Sequence, residues 1–378
     1  MIVAANTPAD VRNAVLTARA RHEPLMVYAT GHGGAMPEQH DDKVIVTTER
    51  MGGVLVDPDR RTAWVGAGAR WGDVITAAAP FGLAPLSGTS PTVGVIGYTL
   101  GGGFSWLSRR YGLAADNVLR AEIVTADGEL RTVSADREPD LFWAIRGGGP
   151  NFGAVTGLEF RLHPVSTVHA GVATFPLDRA ADVLTWYRDN APTLPDELLT
   201  NIWLTRDALA IRGMYAGTAE DARRALKPLW RVAGTPLTDG WRTMQYTESG
   251  TLGGIAPRQF NHLATLPDAV ITAALQCEAN AVEFRYWGGA IARHEGPAGH
   301  RDVPFSVIVD GTAASIAAHA TGGTFLNWLH DPARTHTAYT AANYARLREL
   351  KRAYDPENVF ALGKNIPPAV RNLASLGA

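Results

Sequence analysis

The chain has 378 residues, 46% hydrophobic and 19% charged, which describes a globular protein with ample apolar material and a length at which two domains are the first expectation. A formal charge of −2 leaves no basic footprint for nucleic acid, and one cysteine, Cys277, excludes an internal disulfide framework or a multi-thiolate metal site; it reads as a small buried hydrophobe. No run approaches the ~18 apolar residues of a membrane span and no basic-then-apolar leader opens the chain, so no membrane association and a cytoplasmic location are expected.

Thr7 reads as a helix cap, with Pro8 in the first turn and Asp10 three residues after the cap; Val11, Ala14, Val15 and Ala18 then share one helical face. Strands are predicted over 25–29 and 44–48, a hairpin over 53–56 and 62–65 around Asp57-Pro58-Asp59, and a helix over 72–79 that stops at Pro80. Residues 84–117 hold six glycines between Gly88 and Gly103 with no sustained period, predicting a long functional loop. From Val74 to Ala115 there is no Asp or Glu, which suits a surface that accepts a diphosphate. A second hairpin, 118–125 with 129–134, and a helix over 140–146 follow. Beyond Pro164 longer amphipathic pieces begin, with helices over 180–188 and 218–230 and strands over 199–204 and 282–287. A domain boundary is expected near residue 165, and the helix over 343–354 lies in a tail able to return to the first part.

Several short stretches carry chemistry. "TGHGG" sets His32 among Gly31, Gly33 and Gly34, where a core histidine would have bulky neighbours; glycines leave room for another molecule beside the ring. "VGAGARWGDV" offers Gly66 and Gly68 to a Rossmann loop, but Trp71 stands at the third glycine and no acid follows about 20 residues on. The triplets Gly101-Gly102-Gly103 and Gly147-Gly148-Gly149 let backbone N–H groups approach phosphate oxygens, and Thr89, Ser90 and Thr92 add small hydrogen-bonding side chains. Strand alternation puts Glu283, Arg285 and Trp287 on one face and Val282, Phe284 and Tyr286 on the other, without saying which lines a pocket. His294, Glu295 and His300 lack the helical zinc spacing, and Gly296-Pro297 would break that helix, so no metal is expected.

The series "GHGG", "GAGARWGDV", "LSGTSPTVGVIGYTLGGGFSWLSRRYGLAADNV", "VTADGELRTVS", "DLFWAIRGGGPNFGAVT" and "NYARLRELKRAYDPENVF", in that order, resembles the berberine bridge enzyme-like FAD-linked oxidases, flavoproteins of the vanillyl-alcohol-oxidase type. The resemblance is dense over 5–165 and 337–366 and thin between, where only "VEFRYWGGA" and "FLN" take part. It implies an α+β fold: a two-part FAD-binding domain, 1–165 plus 337–378, with an inserted α+β substrate domain, 166–336, whose antiparallel sheet covers the flavin. Relatives begin several tens of residues before the first helix, so this chain either has a reduced N-terminal region or starts inside a longer one.

The resemblance also assigns the site. A ring nitrogen of His32 would be joined to the flavin 8α carbon, while Ser90, in "GTSP" where relatives often have "GTCP", would supply no second bond because serine is too weak a nucleophile. FAD would lie against Gly31, Gly33, Gly88, Thr89, Ser90, Thr92, Val93, Gly94, Gly97, Tyr98, Gly101, Gly102, Gly103, Gly148, Gly149, Asn151, Gly153, Val155 and Asn343. Val93 would admit oxygen, giving hydrogen peroxide. Tyr339 is the implied base, with Glu283 as the alternative, and Arg285, Trp287, Phe325 and Asn327 would contact substrate, Phe325 standing where relatives often have tyrosine. The expected reaction is oxidation of a secondary-metabolite alcohol, amine or sugar. A non-redox cyclisation with FAD as scaffold, and a non-catalytic binding protein, stay open at this point.

Overall fold

The Thr7 hydroxyl accepts from Asp10 N and the Asp10 carboxylate accepts from Thr7 N, so the first helix, Pro8–Arg21, starts with the reciprocal cap its sequence predicts. The computed structural model describes residues 1–370 other than 35, 38 and 40. Ahead of that helix Ile2–Ala4, too short to show a period, pairs in parallel with Val44–Thr47, which pairs in parallel with Leu25–Tyr28. A five-stranded antiparallel sheet follows, in the order Val54–Asp57, Thr62–Gly66, Ala154–Arg161, Val118–Val124, Leu130–Ser134. Both predicted hairpins are there, with ends moved by a residue or so.

These two sheets share one core with the C-terminal segment: Val11, Val15, Val46, Val65 and Leu158 pack with Leu347, Val359, Phe360 and Ile366. Nζ of Lys351, on the helix Ala341–Tyr354, donates to Asp355 Oδ2 at 2.6 Å, Asn151 O at 2.7 Å and Phe360 O at 3.1 Å. Burial lowers the Lys351 pKa, and the paired carboxylate opposes this. The tail thus returns to the first half through a buried lysine, paired with Asp355 inside the tail and donating to the Asn151 carbonyl across the contact.

The eight-stranded antiparallel sheet runs Thr238–Asp239, Thr167–Phe175, Leu209–Tyr215, Leu198–Thr205, Ala281–Tyr286, Phe305–Asp310, Gln259–Leu263, with Arg242–Gln245 also paired to Thr167–Phe175. One face is apolar: Ile202, Ile211, Phe284 and Val307 pack with Val183, Leu184, Leu229 and Val270 of the helices Ala180–Asn190, Ala219–Ala233 and Asp268–Leu275. Half-buried Cys277 packs at the margin of this layer. The other face meets the glycine-rich segment in a mixed cluster that includes Phe104, Trp106, Trp287 and Phe325. That segment is not one loop: it contains the helices Val95–Leu100 and Ser108–Tyr111 and a 3-10 turn, Ala114–Asn117. The two α-helices lack side-chain caps and are too short for a period to register. Among the described residues no helix is long and apolar enough to cross a membrane.

Candidate active site

His32 stands where two loops meet. Thr30 Oγ1 accepts from Gly94 N at 3.1 Å and lies 3.2 Å from His32 Nδ1; Nε2 lies 3.2 Å from Thr92 Oγ1, itself 2.9 Å from Ser90 Oγ. The imidazole and the serine at the implied cysteine position are therefore one threonine apart in a hydrogen-bonded chain. A Cβ added at Gly33, Gly34 or Gly97 would meet none of the described residues within 4 Å. Open backbone beside an exposed imidazole fits a flavin edge.

Behind this opening the loop is closed by packing. Asn327 Oδ1 accepts from Gly103 N and its Nδ2 donates to Tyr98 O, both at 3.0 Å, and the Phe325 ring lies against Gly102. Asn327, expected at the substrate, braces the glycine triplet instead, because its amide is occupied by backbone. Gly103 has φ +75°, and a Cβ there would lie 2.5 Å from the Tyr98 ring and 2.8 Å from Ala114. Gly103→Ala is expected to lose about 2–4 kcal/mol from left-handed strain plus overpacking. Chemical denaturation of purified variant and wild type measures it; equal midpoints and slopes would mean that the loop yields freely.

Other expected flavin contacts are taken up by the protein. Asn151 Nδ2 donates to Gly148 O at 2.8 Å and Lys364 O at 3.1 Å, while Oδ1 accepts from Ile366 N at 2.8 Å, clamping the second triplet to the tail. Gly149 N donates to Leu100 O at 2.9 Å, Val155 pairs with Ile123 inside the five-stranded sheet, and Gly153 makes room for the Val124 carbonyl. Asn343 Nδ2 donates to Gly296 O at 3.0 Å and Pro297 O at 3.3 Å. The assignment of Tyr339 as base is also corrected. Its hydroxyl donates to Gly147 O at 3.4 Å, its ring stacks on Tyr344 in the core shared by the first two sheets and the C-terminal segment, and burial pushes its pKa far up. A buried phenol held on a carbonyl packs and is not poised to take a proton.

Polar side chains gather instead on the sheet face turned to the glycine-rich segment. Register puts His262, Ser306, Arg285, Asn201 and Arg212 in one row across five strands. Glu283, in the next row, accepts from Asn201 Nδ2 at 2.9 Å and Arg285 Nε on Oε1, and from Arg212 Nη2 on Oε2. With both oxygens occupied and no exposure, Glu283 orients two guanidiniums rather than serving as the alternative base. Beside the row stand Trp287, its Nε1 donating to Ser306 Oγ at 2.9 Å, and the rings of Phe104, Phe325 and Trp328 at 4.8, 5.1 and 6.1 Å from the Trp287 ring. Phe325 and Trp287 thus sit with Arg285 at the interface between sheet and loop. Among the described residues no group of three or more His, Cys, Asp or Glu side chains is arranged to hold a metal.

Two buried histidines set an acid limit. Among the described residues no hydrogen bond of full geometry reaches either ring nitrogen of His262, and burial, with His300 nearby and only the Phe305 backbone opposing, brings its pKa down to about 3; burial brings His163 to about 4, with Arg161 and Arg110 adding. Each is neutral when folded and protonates near its ordinary value when unfolded. The unfolded chain therefore binds more protons, and stability falls as pH drops below about 6.5 toward these folded values, by about 1.4 kcal/mol per pH unit for each histidine. Denaturant midpoints at pH 7 and 5 measure the slope. His262→Gln should flatten it by about one proton, and an unchanged slope would show that His262 does not contribute.

Comparison with known proteins gives a consistent set of likenesses. The family described as FAD binding domain matches residues 1–134, and that described as berberine and berberine like matches residues 324–367. An uncharacterized FAD-linked oxidoreductase of Bacillus subtilis, YgaK, is 28% identical over 99% of this chain and 92% of its own. The crystal structure of 6-hydroxy-D-nicotine oxidase from Arthrobacter nicotinovorans superposes with a TM-score of 0.85 at 26% identity, covering 97% of this chain and 92% of that one. Glucooligosaccharide oxidase from Acremonium strictum, described with a 6-S-cysteinyl, 8α-N1-histidyl FAD, shares the fold at a TM-score of 0.85 and 23% identity over 98% of this chain and 92% of its own.

Proposed function

We propose that this chain, whose residues 1–134 and 324–367 match the FAD binding domain and the berberine and berberine like families, is an oxidase with the α+β fold of the vanillyl-alcohol-oxidase type whose FAD is attached through His32 alone. Its substrate is a small-molecule alcohol, amine or sugar and its second substrate is oxygen. The hydrogen-bonded chain from His32 through Thr92 to Ser90, beside open backbone at Gly33, Gly34 and Gly97, carries the attachment. Bound FAD supplies the acceptor for the substrate's hydride; with the proton that the substrate releases, both electrons end on oxygen as hydrogen peroxide.

The chain's own residues bind and orient. Thr30 Oγ1 and Thr92 Oγ1 each lie 3.2 Å from a ring nitrogen of His32, so one threonine orients the ring while the nitrogen at the other is given up to the flavin bond, and Asn327 holds the glycine triplet in shape. Half-buried Val93 follows Thr92 directly, its carbonyl accepting from Trp71 N at 3.0 Å, so the oxygen-access position is tied to the attachment loop. Anaerobic mixing with a panel of alcohols, amines and sugars should bleach the yellow protein, and air should restore the colour with release of peroxide. Reoxidation no faster than that of free reduced flavin would make the protein a dehydrogenase, and a panel that bleaches nothing would favour non-redox use of the pocket.

A further inference from the structure

Resting on the reading of this chain as a small-molecule flavin oxidase, we propose that its substrate carries a carboxylate on a flat apolar body and that the terminal nitrogens of Arg285 receive that carboxylate. The argument starts from charge. The buried face of the eight-stranded sheet holds two guanidiniums, Arg212 and Arg285, against one carboxylate, Glu283, an excess of one positive charge. Glu283 shares its single negative charge between the two guanidiniums while also accepting from Asn201, so one positive charge is left over. The other titratable side chains around it bring no negative charge: Tyr98 and Tyr246 are buried phenols with raised pKa values, and His262 is neutral above about pH 3. A cation among aromatic rings without a countercharge is unfavourable unless a ligand supplies one.

Arg285 has the geometry to receive it. Only its Nε is engaged, by Glu283; Nη1 and Nη2 hydrogen-bond to no described residue. The side chain is 12% exposed whereas Arg212 is fully buried, so the free fork belongs to the guanidinium that solvent reaches. Its central carbon lies 4.8 Å from the Trp328 ring centre and 5.4 Å from that of Phe104. Two rings and a carboxylate hold the plane of the guanidinium, leaving two parallel N–H donors, the arrangement that matches a carboxylate in a bidentate pair. A cationic amine would meet like charge here. A neutral sugar would bring no countercharge to the free fork, and the rings of Phe104, Phe260, Phe325 and Trp328 favour a flat apolar body.

Benzoate is the probe, with benzamide as its uncharged counterpart and inorganic phosphate as an anion without the flat body. The flavin-loaded protein is titrated with each while flavin absorbance and tryptophan fluorescence are recorded. Benzoate should give a saturable change in both signals, with benzamide and phosphate at least about 10-fold weaker. Arg285→Gln should weaken benzoate about 10- to 100-fold, the range for a charge-assisted pair. Arg285→Lys, which keeps the charge and loses the fork, should fall between, and far-UV circular dichroism and melting confirm that each variant is folded. Equal binding of benzoate and benzamide, no binding of benzoate, or undiminished benzoate binding by a folded Arg285→Gln would overturn the proposal. Should Arg285→Gln fail to fold, Arg285→Lys and the wild-type contrast between benzoate and benzamide decide. Protein purified without flavin would count against the oxidase reading, and tryptophan fluorescence would still judge Arg285.

Discussion

Acid-precipitated wild-type protein should stay yellow, and the His32→Ala pellet should be colourless with all flavin in the supernatant. The two outcomes differ completely rather than by degree, because a covalent bond survives unfolding and a binding site does not. Digestion with trypsin should place one flavin-derived mass on the peptide 22–43, which contains His32, and none on the peptide 71–109, which contains Ser90. The geometry gives Ser90 → Cys a definite expectation too. Ser90 Oγ lies 2.9 Å from Thr92 Oγ1, which lies 3.2 Å from His32 Nε2, so a thiolate there starts beside the attachment point and is a far better nucleophile than a hydroxyl. A second flavin bond on the 71–109 peptide of that variant would show that the loop still presents its side chain to the ring. Flavin released completely from unmodified wild-type protein would defeat the attachment and leave His32 as a loop residue held by two threonines.

The parts of the site that were legible in the sequence are those built from local chemistry. The Thr7 cap, both hairpins and the glycines around His32 depend on neighbours within a few residues, and each left a recognisable pattern. Phe325 and Arg285, read from sequence as substrate contacts, lie at the interface of sheet and loop, and their partners there leave no trace in linear sequence. The row His262, Ser306, Arg285, Asn201, Arg212 joins five strands through cross-strand register, and no linear spacing encodes it. Arg212 and His262 were missed for that reason. The one available signal was a charged or imidazole side chain within an otherwise apolar strand, as in "LAIRGMY" and "QFNHL". Asn151, Asn327 and Asn343 stand in motif positions, yet their amides close backbone groups that only the folded loops bring near. Tyr339 failed because a motif position carries no information about burial, and its surroundings come from the tail helix and the second glycine triplet together.

Glu283→Gln should lose roughly 3–5 kcal/mol of stability, the scale for removing one partner of a buried ion pair. The substitution preserves shape, so packing is not the source. The wild-type cluster carries one excess positive charge; without the carboxylate it carries two, on guanidiniums that cannot shed their protons near neutral pH. Glutamine keeps an acceptor for one N–H but not for both Arg212 Nη2 and Arg285 Nε while still meeting Asn201 Nδ2. Equilibrium denaturation followed by tryptophan fluorescence measures the loss, with flavin absorbance as a second reporter, since His32 lies in the other half of the molecule. Adding Arg212→Gln to Glu283→Gln returns the excess charge to one, and the double variant should recover part of the stability, a coupling that single-site packing defects do not show. A catalytic base behaves otherwise: its amide loses turnover while the fold melts normally. Glu283→Gln with wild-type stability and lost turnover would therefore return the proton-transfer role to Glu283, whereas strong destabilisation relieved by removing a guanidinium identifies it as the carboxylate that holds Arg285 in position.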